Sequence, residues 1–306
     1  MAQTQNLILR IIAQRKGISS TELVEVVRKF GRSADAVRAA VSRMVRAKLL
    51  IKKGRGRGNL SYKLGPAGQA RVAQFINKIL RWHVALEDAL PWDGNWLVVA
   101  FNVPEKERDK RDTFRAALMD MGFGLLSSSV WLSPLDLSEQ VSEFVEDLGL
   151  AGQATLLRCQ HIWQPGQEGN ETLVRHVWEL EALEAKYNAF NAHAEVLLTS
   201  LDKAAQTATA NTEALFFEVL ELQSELIEII MDVDPCLPVA LLPTSWPGKR
   251  VHELVHALTR TIDTLSEADH PYHYLFHLIQ GMEDLEAFRP EGDMSFHWPS
   301  EDELTR

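Results

Sequence analysis

A chain of 306 residues, 46% apolar and 24% charged, is long enough for two or three domains and can build its cores without disulfide staples. Spread evenly, its net charge of −10 would argue against a polyanion partner, but residues 1–81 hold 18 lysines and arginines against 3 acids, while residues 82–306 hold 14 against 39. A charge of +15 on the first stretch and −25 on the rest is the pattern of a nucleic-acid-binding head on an acidic body. The two cysteines, Cys159 and Cys236, match no metal or redox spacing, so a reducing cytosol is the expected setting. No apolar run reaches the length of a membrane span and the amino terminus lacks a secretory layout, so a cytoplasmic protein without a membrane partner is expected.

Leu7, Ile8, Ile11 and Ile12 give residues 5–15 one apolar face, a first helix broken at Gly17. Ser19 with Glu22 three residues on predicts a capping box, and Leu23, Val26 and Val27 supply the inward stripe of a second helix that Gly31 ends. Ser33 caps a third, with Asp35 in its first turn. Val37, Val41 and Met44 turn inward there and leave Arg38, Ser42, Arg43 and Arg46 on a basic outer face suited to a major groove. After Leu49, Leu50 and Ile51, the segment KKGRGRGN combines three glycines with four cations, as a basic hairpin does. Helix, helix, basic helix and hairpin in that order predict a winged helix-turn-helix over residues 1–68. Its expected DNA-contacting residues are Arg32, Ser33, Arg38, Ser42, Arg43 and Arg46 on the helix side, and Lys52, Lys53, Arg55, Arg57 and Tyr62 on the hairpin.

Residues 69–92 read as a connecting helix and linker, with Val72, Ile76 and Leu80 on one side of a helix from Ala70 to Leu80. From Trp92 the chain alternates strand and helix. WDGNWLVVAFNVP is followed by a charged helix from Glu105 to Met121, then GFGLLSSSVWLSP, a helix near Ser138 to Leu148, and ATLLRCQHIW. That β-α-β-β-α-β order predicts a ferredoxin-like split βαβ domain over residues 93–165. A mainly helical carboxy-terminal domain, 171–306, completes an α+β chain. Leu173, Val177, Leu180, Tyr187 and Phe190 mark one stripe there, and Leu215, Val219, Leu222, Leu226 and Ile229 another, so bundle or dimer helices are expected. Four prolines in DPCLPVALLPTSWPG predict an ordered, non-helical crossing segment. Helices near Arg250–Leu265 and Tyr272–Leu285 follow, and then a polar tail from Pro290.

Taken together, a winged head with VRAAVSRM and GRGNLSYKLGPAG, then WDGNWLVV, GFGLLSSSVWLSP and DPCLPVALLPTSWPG, resembles the PaaX family of bacterial transcriptional repressors over nearly the whole chain. The middle portion also looks like the small CRISPR-adaptation endoribonucleases, which share the ferredoxin-like unit. The resemblance implies a repressor of a catabolic operon for aromatic compounds, notably phenylacetate, released from DNA by an aryl-CoA thioester such as phenylacetyl-CoA. It maps the recognition helix to Ser33–Lys48 and the wing to Lys52–Tyr62. Such a thioester would need an apolar slot for its acyl group and donors for its phosphates. In the basic-poor body the candidates are Arg158, Arg175, Lys249 and Arg250, with His161 and with Trp131, Trp163, Trp178 and Trp246 as walls. Because one head makes few base contacts and the apolar stripes after Leu173 offer a surface, a homodimer on a palindromic operator is expected, with half-sites about 10 base pairs apart or a multiple of that.

Two other classes remain beside the repressor. His252, Glu253 and His256 spell HELVH, the HExxH pattern of zinc proteases, but one short pattern in a chain of ten histidines arises readily by chance. His273 and His277 repeat the same spacing. Buried or exposed histidines without a metal, and no cofactor or catalytic residue, are the expectation. A nuclease would need an acidic metal ligand at the end of the first middle-domain strand, where Asn102 stands instead. The third class is an interaction scaffold that never touches DNA.

Overall fold

The computed structural model of the protein describes residues 2–15, 17–54, 60–87, 90–166, 169–206 and 212–265. In chain order the elements are α1 (Ala2–Arg15), β1 (Ile18–Ser19), α2 (Ser20–Lys29), α3 (Ala34–Arg46), β2 (Leu50–Lys53), β3 (Ser61–Leu64) and α4 (Pro66–Leu86). Then come β4 (Trp96–Phe101), α5 (Arg108–Asp120), β5 (Gly124–Ser127), β6 (Val130–Ser133), α6 (Ser138–Asp147) and β7 (Ala154–Cys159). Four helices follow: α7 (Asn170–Val177), α8 (Leu180–Ala205), α9 (Thr212–Asp232) and α10 (Gly248–Leu265). This is a mixed helical and sheet protein with two antiparallel sheets, in keeping with the α+β expectation. No helix of the described residues is long and apolar enough to cross a membrane. The expected hairpin tip 55–59, the expected helix Tyr272–Leu285, the pair His273 and His277, and the tail from Pro290 lie outside the described residues.

Contacts divide the chain into two units, each drawn from separated stretches. The first takes residues 1–83, 189–232 and those from 250 on, and the second takes 84–188 and 233–249. In the first, Ser33 Oγ accepts the Ala36 N–H at 3.2 Å and Ser19 Oγ accepts the Glu22 N–H at 3.1 Å, so both expected caps form. The Glu22 carboxylate pairs with Arg15. Strand β3 lies between β1 and β2, with Ile18 opposite Tyr62 and Leu50 opposite Leu64. Two glycines set how α4 leaves this sheet: a Cβ at Gly65 would sit 2.3 Å from the Lys48 carbonyl oxygen, and one at Gly68 2.1 Å from that of Leu49. Only residues without a side chain let the α4 start press so closely on the turn after α3. Pro66 opens α4, where its missing N–H costs nothing.

Helix α9 is part of the same unit and is buried on most sides, through Phe216, Val219, Leu220, Leu222, Leu226, Ile227, Ile229 and Ile230. It meets α1 through Arg10 and Ser224 (3.2 Å) and α4 through Lys78 and the Met231 carbonyl (2.8 Å). Lys29 pairs with Glu213 at 2.9 Å, and Phe30 meets the edge of Phe217. Arg10 is buried, and burial lowers its guanidinium to about 10 despite the nearby Glu228 carboxylate. The apolar stripe of α9, expected for a bundle or a dimer, is therefore consumed inside the protomer.

In the second unit the strand order is β5-β6-β4-β7, all antiparallel. The continuous apolar run of β4 follows from burial on both faces. Leu97, Val99 and Phe101 join Phe114, Leu118, Val141 and Val145 of α5 and α6 on one side. Trp96 and Val98 join Leu173, Val174 and Val177 of α7, with Leu237 and Leu241 of the proline-rich segment, on the other. A Cβ at Gly124 would come 2.2 Å from Val177 Cγ1, which is why α7 can lie so close to β5. The proline-rich segment is ordered, as its composition requires. The Cys236 N–H and the Tyr187 hydroxyl both donate to the buried Asp234 carboxylate.

Candidate functional site

The heptad-like spacing of Val37, Ala40, Val41 and Met44 buries one side of α3 and decides what the other side presents. Arg38, Ser42 and Arg46 are exposed, Arg43 is half-buried, and Arg32 and Ser33 stand exposed just before the helix. Lys52 and Lys53 extend the cationic surface along β2. Arg38 is partly neutralised by Asp35 at 2.8 Å. Among the described residues, Arg32, Arg43, Arg46, Lys52 and Lys53 enter no ion pair or side-chain hydrogen bond, so their charge is available to an incoming anion. Arg55 and Arg57 belong to the tip outside the described residues. Tyr62 is 6% exposed in the middle strand of the sheet, so its ring packs inward.

The residues expected to hold an effector stand differently. Trp131 is 3% exposed and belongs to the core of the second unit, with the Arg115 guanidinium over its ring. There it serves the packing of that core. Trp178 stacks near Trp96 and donates its indole N–H to the Gly122 carbonyl at 3.0 Å, while Trp246 meets the edge of Tyr187. Arg158 is held by Asp93 and by Asp136 (2.9 Å), Arg175 by Glu171 (3.2 Å) and Glu184 (3.5 Å), and Arg250 by Glu195 (3.0 Å) and Glu253 (3.3 Å). His161, Trp163 and Lys249 are exposed. A cleft of about 210 Å³ beside Arg158 is lined also by Asp93, Asn95, Trp96, Pro134, Leu135 and Asp136, and takes no other residue from the expected set. That volume is below the roughly 300–1,000 Å³ of sites that enclose drug-sized ligands, and its two carboxylates oppose phosphate. At the end of β4, Asn102 is exposed and its backbone N–H donates to the Gln153 carbonyl at 2.9 Å, so no acid takes that position.

The histidines of HELVH have a companion that the sequence reading missed. His252 and His256, one turn apart on α10, meet His83 of α4 within the first unit. His83 Nδ1 is 3.0 Å from His252 Nε2, and His256 Nε2 is 3.2 Å from the same atom. Ending the connecting helix at Leu80 hid His83. The signal was present, because His83 continues the buried row Val72, Ile76 and Ile79 at helical spacing. Burial, and next the neighbouring His256, push His252 down to about 4, so its ring is neutral at pH 7. Glu253, the base of an HExxH enzyme, is exposed and tied to Arg250.

Three family models match successive stretches of the chain. Residues 8–68 match one described as PaaX-like protein, residues 89–174 the PaaX protein central Cas2-like domain, and residues 178–270 the PaaX-like protein C-terminal domain. Among solved structures, the uncharacterized protein Rv0674 from Mycobacterium tuberculosis is similar over 84% of this chain and 95% of its own, at 22% identity and a TM-score of 0.46. No curated protein matches.

Proposed function

The chain belongs to the PaaX family, and from that premise we propose that it is a DNA-binding transcriptional repressor of an aromatic-compound catabolic operon of the phenylacetate type. In this reading α1–α3 and β1–β3 are a winged helix-turn-helix, with α3 the recognition helix and the β2–β3 hairpin the wing. The β4–β7 sheet with α5 and α6 is the ferredoxin-like middle domain, a scaffold and not a nuclease. The observation that carries the proposal is the cationic surface of α3 and β2, where Arg32, Arg43, Arg46, Lys52 and Lys53 are not neutralised among the described residues. Leaving cations without acid partners serves phosphate binding, because each neutralised phosphate releases counterions.

An aryl-CoA thioester such as phenylacetyl-CoA is the proposed effector, on the ground of family membership. Its phosphates then need donors other than Arg158, Arg175 and Arg250 in their present pairing, or an exchange of those ion pairs on binding. The protein is proposed to act as a cytoplasmic homodimer on a two-fold operator, through surfaces other than the α9 stripe that the protomer buries. A shift assay on DNA upstream of the protein's own gene tests the reading, with phenylacetyl-CoA, free phenylacetic acid or neither. Binding that is released by the thioester alone is expected. Release requires tighter thioester binding to the DNA-free form, so operator DNA must weaken the thioester by the same factor. Failure to bind any promoter fragment would leave the interaction-scaffold class, and release by the free acid would overturn the effector.

A further inference from the structure

The histidine cluster has no part in the repressor reading, and its chemistry stands independently of that reading. We propose that His83, His252 and His256 form a binding site for one divalent first-row transition-metal ion, zinc by preference.

The geometry carries the proposal. Tetrahedral zinc holds imidazole nitrogens at about 2.0–2.1 Å, which places any two of them about 3.3 Å apart. The ring nitrogens here stand 3.0 and 3.2 Å apart around His252 Nε2, and one nitrogen of each ring lies within 4.8 Å of the other two. A small closure around an ion completes the set. His252 Nε2 faces two ring nitrogens at once, yet a neutral ring nitrogen carries either one N–H or one lone pair and makes one well-directed hydrogen bond. Three lone pairs turned to a common cation would remove that competition at His252 Nε2.

Ligand chemistry narrows the ion. Imidazole nitrogens without a carboxylate select zinc, copper, nickel or cobalt over the oxygen-seeking calcium and magnesium. Trp82, 1% exposed, closes one side, with its ring centre 5.0 Å from that of His83 and 5.7 Å from that of His252. Such an apolar wall limits water at the ion. Two of the ligands come from one turn of α10 and the third from α4, so the ion would pin the helix that leaves β3 to the last described helix. Glu253 is on the exposed side and paired with Arg250, so the site lacks the base of an HExxH enzyme and is a clamp, with its fourth position left to water or an exchangeable ligand.

The test uses the full-length protein, stripped with a chelator and dialysed, then titrated with Zn²⁺ by calorimetry and with Co²⁺ followed by visible absorption. One equivalent per chain is expected, with the absorption of four-coordinate cobalt. His256→Gln and His83→Asn should each weaken Zn²⁺ by more than the roughly 10–100-fold that loss of an outer-shell partner costs, with the far-ultraviolet circular dichroism unchanged. The double variant His273→Gln/His277→Gln should bind as the wild type does. No binding by the wild type, wild-type affinity in His256→Gln, or a loss confined to the His273/His277 variant would each overturn the site. Should His83→Asn not fold, the half-buried His256→Gln and the wild-type cobalt spectrum decide the matter.

Discussion

The arginines expected to touch a ligand differ in fate between the head, where Arg38 alone of those described is paired, and the rest of the chain. In the head, Arg32, Arg43, Arg46, Lys52 and Lys53 are left without acid partners among the described residues. Beyond residue 84, Arg158, Arg175 and Arg250 each hold two carboxylates, and Trp131 is in the core. The contrast accords with composition: the first 81 residues hold 3 acids for 18 cations, whereas the rest of the chain holds 39 acids for 14. An exposed cation is a site only where its surroundings fail to neutralise it. A rare cation in an acidic region is the one most readily taken by structure.

The contrast is tested most strongly at the tryptophans. If Trp131 is structural, Trp131→Ala should cost about 3–5 kcal/mol of stability by urea unfolding, whatever effector is present. Trp163, 78% exposed, is the control: Trp163→Ala should stay within about 0.5 kcal/mol. Trp131→Ala that unfolds at the wild-type midpoint but loses thioester response would return this residue to a pocket and break the comparison.

The next largest effect is on DNA. Each arginine of α3 that reads a base should be worth about 1–3 kcal/mol, and each that touches phosphate should contribute roughly 0.9 to the salt slope. Arg43→Ala/Arg46→Ala should therefore weaken an operator fragment at least about 10-fold by fluorescence anisotropy and flatten its salt dependence. Arg158→Ala/Arg175→Ala should leave both unchanged. Equal losses in the two double variants would mean that the paired cations also meet DNA, and the contrast would fail.

What the sequence made legible was local. Caps at Ser19 and Ser33, the inward face of α3, and the strand at β4 are set by neighbours within a few residues, and each was read from spacing and side-chain type. Partnerships across long separations were not legible. One acid that holds Arg158 is 65 residues away at Asp93, His83 is 169 residues from His252, and α9 buries its stripe within the protomer. The burial of the Tyr62 ring was not legible either, since a tyrosine in a basic hairpin has the same local sequence whether its ring turns inward or outward. Spacing tells which residues share a face and not what that face meets.

The smallest expected effect lies in the paired cations themselves. Asp93 is held below its ordinary 3.8 by hydrogen bonding from Asn95 first and by Arg158 after it. A carboxyl whose folded pKa lies below its unfolded one binds fewer protons when folded. Its stabilisation is therefore complete above the unfolded value and is lost as pH falls through the folded one. Both side chains are 52% exposed, so solvent screens the pair and the total should stay under about 1 kcal/mol. Asp93→Asn should accordingly show a small, constant loss in urea midpoint between pH 7 and 5, shrinking as the pH falls below the ordinary value of 3.8. It should also free one side of Arg158 and so raise affinity for a polyphosphate. A loss of several kcal/mol, or a gap that widens on acidification, would show that Arg158 and Asp93 are coupled more tightly than an exposed pair can be.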